Sequence, residues 1–213
     1  MPMPGEHKTV QARILHYAQE IGWRYVPRPE AEARRGFDAD GPTPEDRARP
    51  ATPYFGDLLH AQIRAFNPKY KEAEGALVGE LHRLNADISG KRDFLTYLRN
   101  QGKFFSADEN RELDLTLIDY GDLTRLRDDW QNVYEVTEEF YVHNGHYGTR
   151  EDVVFLINGI PVLVIECKNA SKNEAIALGV DQIRRYHVET PEVMVPEMLF
   201  TATEAIGFAY GVT

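Results

Sequence analysis

Apolar residues recur at helical spacing through residues 9–25 (TVQARILHYAQEIGWRY), where Ile14, Leu15, Ala18 and Ile21 share one stripe. The pattern predicts an amphipathic helix with Gly22 as its stop. Residues 36–53 break it. Pro42, Pro44, Pro50 and Pro53 interrupt helix and strand alike and predict an exposed loop. Helical periodicity returns over about 55–66, 70–86 and 91–100, with Asn67-Pro68 between the first two and Gly102 after the third. After about residue 110 the period changes. ELDLTLID (112–119) alternates apolar and polar, as a half-buried strand does, and NVYEVTEEFYV (132–142) is rich in β-branched and aromatic residues. Two strongly apolar runs, DVVFLI (152–157) and IPVLVIEC (160–167), meet at Asn158-Gly159, a strong hairpin signal. Residues 172–188 predict a helix, and 197–210 one or two short strands.

This order predicts an α/β (α+β) fold, a mixed central sheet flanked by helices. A helical region over 1–110 would pack on a core over 111–213 as one compact unit. Composition narrows the function classes. Apolar residues make up 42% of the 213, enough for a real core, and charged residues 27%, close to the globular average. Acids exceed bases, 34 to 24, which argues against a module that grips DNA by bulk positive charge. A single cysteine excludes a disulfide scaffold and a Cys-based zinc cage and fits a reducing cytosol. No apolar run approaches the roughly 18 residues of a membrane span, and the N-terminus lacks a secretory pattern, so a cytoplasmic protein without a membrane partner is expected. The abrupt ending, GFAYGVT, reads as a fragment of a longer chain.

The candidate chemistry lies on the two apolar runs. Glu166 and Lys168 end a hydrophobic strand two residues apart, so alternation puts them on one face and Cys167 on the other. Charges there are costly unless used or paired. Asp152 opens the partner strand. Two carboxylates converging there suit a hard divalent cation, foremost Mg²⁺ with Mn²⁺ as a substitute. The adjacent lysine would orient water or stabilise charge on a phosphate. Glu-x-Lys alone carries no weight, since ordinary charged-residue usage yields about one by chance in such a chain; the weight lies in its context.

One geometric condition attaches. A strict two-residue turn pairs Ile157 with Ile160, leaves Asp152 opposite Ile165, and puts it on the wrong face for Glu166. A three-residue loop with a glycine bulge pairs Leu156 with Ile160 and restores the shared face. The site therefore needs an odd-length turn or a bulge, and both registers remain open. On the following helix, Gln182 and Tyr186 share a face at i and i+4 and both can hydrogen-bond. Lys172, Arg184 and Arg185 are candidates for a DNA backbone or a solvated face. His143 and His146 read as a surface loop more readily than as transition-metal ligands beside a carboxylate, and Trp23, Tyr25 and the aromatics at 138–147 as packing.

Asp152, Glu166-Cys167-Lys168 and Gln182-Ile183-Arg184-Arg185-Tyr186 together resemble the PD-(D/E)xK nuclease pattern with its trailing QxxxY. More narrowly, REDVVFLINGIPVLVIECKN resembles the endonuclease domain at the N-terminus of the R subunit of type I restriction enzymes. ILHYAQEIGWRYVPRPEAEARRG, Asn67-Pro68 and LTLIDY support it, so the resemblance covers nearly the whole chain. It implies a restriction-endonuclease-like core. Asp152, Glu166 and Lys168 would be catalytic. Asp152, Glu166 and the Cys167 carbonyl would hold the metal, and Gln182 and Tyr186 would contact DNA or support the site. Cys167 stands where the family more often has an aliphatic residue, and the loop at 38–53 looks lineage-specific. Double-stranded DNA, modification and specificity subunits, and motor domains of the full-length chain would be partners. The chain has no G-x-x-x-x-G-K-[ST] loop, so ATP would serve only a downstream motor. Two rivals remain: a stand-alone nuclease or repair exonuclease of the same fold, and a catalytically silent docking domain.

Overall fold

The structure, a computed structural model, describes residues 10–36, 52–121, 131–169, 174–204 and 206–212. The proline-rich stretch lies almost wholly outside them, as do Lys172 and the start of the helix expected from 172. The chain runs α1 (Ala12–Glu20), β1 (Arg24–Val26), α2 (Arg28–Arg34), α3 (Gly56–Phe66), α4 (Ala76–Leu81), α5 (Ile88–Leu98), β2 (Lys103–Ser106) and β3 (Arg111–Asp114). It continues with β4 (Tyr134–His143), β5 (Gly148–Ile157), β6 (Ile160–Cys167), α6 (Ala175–Glu189), α7 (Pro191–Met194), β7 (Leu199–Thr203) and β8 (Phe208–Gly211). Six strands form a mixed sheet in the order β1-β4-β5-β6-β7-β8, and β2 and β3 form a separate pair. The β1–β4 and β6–β7 pairs are parallel and the rest antiparallel. The α/β class expected from the sequence is present.

Each sheet face buries its own side chains. Val154, Leu156, Val164, Phe200 and Ala202 meet Ile183 and Tyr186 of α6. Val136, Val153, Phe155 and Cys167 meet Leu15 and Ala18 of α1. A third core lies among α3, α4, α5 and the β2–β3 pair. Among the described residues no helix is long and apolar enough to cross a membrane.

Three expected elements are shorter than their pattern. The first helix stops at Glu20; Gly22 takes φ 93°, and Arg24–Val26 then pairs in parallel with β4, a long-range contact that local periodicity does not encode. The helix expected over 70–86 is confined to Ala76–Leu81, because Gly75 at φ 88° sets its start. The strand expected over 112–119 ends at Asp114. Beyond it two side chains take the place of a neighbouring strand: Asn67 Oδ1 accepts from Thr116 N at 2.9 Å, and Asn100 Oδ1 from Leu117 N at 2.8 Å. Leu115, Leu117 and Ile118 are nonetheless buried, so the alternation reported burial rather than pairing.

Candidate functional site

The β5–β6 hairpin decides the site. Asn158 and Gly159 have φ 54° and 81°, the positive values a two-residue primed turn requires, and Ile157 pairs with Ile160. Gly159 carries a second constraint, because a Cβ there would lie 2.6 Å from the Phe55 carbonyl oxygen. Leu156 pairs with Pro161, but Phe155 pairs with Leu163, so β6 bulges by one residue. Val154 then opposes Val164 and Val153 opposes Ile165. Asp152 reaches the face of Glu166 through a tight turn followed by a bulge, not through a three-residue loop.

Asp152, Glu166 and Lys168 line one open cleft with Leu178, Asp181, Gln182 and Arg185 of α6. Asp152 Oδ2 accepts from Cys167 N at 2.7 Å. Lys168 Nζ donates to Glu166 Oε1 at 2.6 Å and to the Cys167 carbonyl at 3.1 Å. Glu166 is wholly buried, and its Oε2 has no hydrogen-bond partner among the described residues. Burial, then the neighbouring Asp152, push the Glu166 carboxyl up to about 8, against the pull of Lys168. Burial likewise raises Asp152, and the Cys167 N–H opposes it. The Cys167 side chain is buried on the opposite face of the sheet.

α6 closes the site from above. Gly179 permits this approach, since a Cβ there would lie 2.9 Å from Ala202 Cβ, 3.5 Å from Lys168 Cγ and 3.7 Å from Glu166 Cγ. Gln182 stands on the cleft and donates through Nε2 to the Tyr186 hydroxyl. Tyr186 is buried and donates to the Arg150 carbonyl at 2.6 Å, two residues before Asp152. The pair therefore divides: Gln182 faces the cleft, while Tyr186 is buried between α6 and the sheet and holds β5 at Arg150. Arg185 lines the cleft, and Arg184 is exposed and paired with Asp181 at 3.0 Å. His143 Nδ1 accepts from Gly145 N in the β4–β5 turn.

Sequence reasoning missed a charged layer beside the site. Glu139 at φ 52° shifts the alternation of β4. Phe140, which pairs with Glu151, therefore sits in the α6-side core, whereas Val136 sits in the α1-side core. Glu151 and Glu197 are both wholly buried, with carboxylate oxygens that find no donor among the described residues. They interact directly, and burial raises both, Glu151 to about 7 and Glu197 well above the ordinary range. Arg35 lies near Glu151 and Lys91 near Glu197. No local pattern marks this layer. Gly179 did leave a signal, an isolated glycine in a helical run.

The described residues contain no group of three or more His, Cys, Asp and Glu side chains arranged around a metal position. A buried carboxylate with an orphaned oxygen, a half-buried one and a carbonyl nevertheless fit Mg²⁺, a hard cation that keeps several waters and takes one or two carboxylates from the protein. A family model described as type I restriction enzyme R protein N terminus matches residues 3–211.

The chain belongs to this family of R-protein N-terminal domains. A Methanocaldococcus jannaschii protein, provisionally named type I restriction enzyme MjaVIIIP endonuclease subunit, is 22% identical over 198 residues. The match covers 91% of the present chain and 17% of that relative, so this R-protein domain spans about a sixth of the relative's length.

Proposed function

We propose that this R-protein domain is a Mg²⁺-dependent endodeoxyribonuclease of the PD-(D/E)xK type, cutting DNA without sequence specificity of its own. The observation that carries the reading is the convergence of Asp152, Glu166 and Lys168 on one cleft beneath α6. Asp152 and Glu166 would hold the cation, with the Cys167 carbonyl as a third oxygen. Bound there, it would polarise a phosphate and lower the pKa of an attacking water. Lys168 would donate to a phosphate oxygen or orient that water. Gln182, on the cleft, would contact the substrate backbone, and Tyr186 would keep Asp152 in place through the Arg150 carbonyl. The acidic balance of the chain, −10 overall, suits a module to which other parts deliver DNA. Those parts would be the ATP-driven motor of a full-length subunit and the modification and specificity subunits, working in the cytoplasm.

The test is plasmid cleavage by the full R subunit assembled with its partner subunits. Asp152→Ala, Glu166→Ala and Lys168→Ala should each abolish cutting while the circular dichroism spectrum is unchanged. Wild-type cutting by any of the three would remove that residue from the mechanism.

A further inference from the structure

Lys168 closes on the oxygens that the proposed function assigns to a cation. Its ammonium touches Glu166 Oε1 at 2.6 Å and the Cys167 carbonyl at 3.1 Å, two of the three candidate ligands. The third, Asp152, is tied to Cys167 N. This is no loose surface pair. Glu166 is 0% and Lys168 7% exposed, and α6 packs over both stems at Gly179. Lys168 pulls the buried Glu166 carboxyl toward its charged form against the push of burial, and an ammonium and a hard divalent ion both seek carboxylate and carbonyl oxygen. Two cations on one buried oxygen would repel strongly.

We propose that Lys168 is the resident counter-ion of Glu166, that a divalent cation displaces it from Glu166 Oε1 and the Cys167 carbonyl, and that this displacement frees the ammonium to enter the cleft. The inference rests on the metal reading and adds an order of events to it. The lysine meets a phosphate only after the cation has arrived, so the residue is both a lock on the metal-free site and a tool in the loaded one.

Calorimetric titration of Mn²⁺ into the 213-residue chain and its variants tests this. Lys168→Met should bind Mn²⁺ about tenfold tighter than wild type, the weight of one charge-assisted hydrogen bond. Arg185→Met removes a positive charge from the same cleft without touching a candidate ligand, and should change affinity less than about threefold, as a screened charge does. In wild type, Mn²⁺ should raise the labelling of Lys168 by trinitrobenzenesulfonate, mapped by mass spectrometry; this readout does not depend on the variant folding. Unchanged affinity in Lys168→Met, an equal gain in Arg185→Met, or labelling indifferent to bound Mn²⁺ overturns the displacement and leaves the metal reading standing. Absence of any Mn²⁺ binding that Asp152→Ala removes overturns the metal reading itself, and the displacement with it.

Discussion

The Asp152 carboxylate accepts the Cys167 backbone N–H at 2.7 Å, one step beyond the last main-chain pair of β5 with β6, Val153 with Ile165. A side chain thus finishes the ladder, and the residue that would bind a cation also fixes the backbone between Glu166 and Lys168. Asp152→Asn keeps an oxygen acceptor but loses the charge. It should retain the melting temperature within a few degrees and lose Mn²⁺ binding by at least about a hundredfold, since Mg²⁺-type cations depend on carboxylate charge. Asp152→Ala should lose both. Thermal melts paired with calorimetry separate the two roles.

Gln182 and Tyr186 should part company under substitution. Tyr186→Phe removes the hydrogen bond to the Arg150 carbonyl and should cost about 1 kcal/mol of stability. Gln182→Ala, at the cleft, should leave urea denaturation almost unchanged yet lower cleavage by the full complex. Equal stability losses would place both residues in the packing.

Glu151 and Glu197, buried together, should contribute a loss of stability as pH rises from about 5 to 7. Burial holds the folded pKa of Glu197 well above its ordinary value, so the unfolded chain releases its proton first and the folded state keeps it. Stability is therefore fully present below the ordinary glutamate range of about 4.3 and declines above it. Glu151 shifts the same way, to about 7, as do Glu166 and Asp152 at the cleft, while His82 and His187, lowered by burial, work against them below the ordinary histidine range. Lys91, lowered to about 8 by burial, works oppositely, but only from about pH 8 upward. Arg35 stays charged across this range, and the neighbouring Tyr54 stays neutral. Glu197→Gln should flatten the slope between pH 5 and 7 and raise the melting temperature at pH 7. A wild-type slope in that variant would place the titration elsewhere.

Asn158 should be the most costly turn position. Its Nδ2 donates to the Leu117 carbonyl at 2.8 Å and to Asn132 Oδ1 at 2.9 Å, and its Oδ1 accepts from Val133 N at 2.8 Å. Asn158→Ala removes all three, takes this donor from the buried Leu117 carbonyl and this acceptor from Val133 N, and should cost about 3 kcal/mol in chemical denaturation. Since this turn ends β5 and begins β6, and so sets the register between Asp152 and Glu166, Mn²⁺ affinity should drop as well.

Much of the site was legible because its signals are local. Asn158-Gly159 announces a tight turn by backbone preference alone, and Glu166-x-Lys168 at the end of an apolar run sets one face. The bulge after Pro161 was not legible, since only packing across β5 and β6 selects it. Neither was β1, whose three residues become a strand by lying beside β4, nor the Arg35–Glu151–Glu197–Lys91 layer, assembled from four distant parts of the chain. Leu115–Ile118 misled for the converse reason: Asn67 and Asn100 imitate a neighbouring strand with side chains.

The single cysteine lies between Glu166 and Lys168, buried in the core on the opposite face of the sheet that it shares with Val136, Val153 and Phe155. A thiol reagent can reach the wholly buried Cys167 only when this core opens. The chain therefore carries its own reporter of local opening: the alkylation rate of one native atom, followed with and without metal, would read how tightly the floor of the cleft is latched.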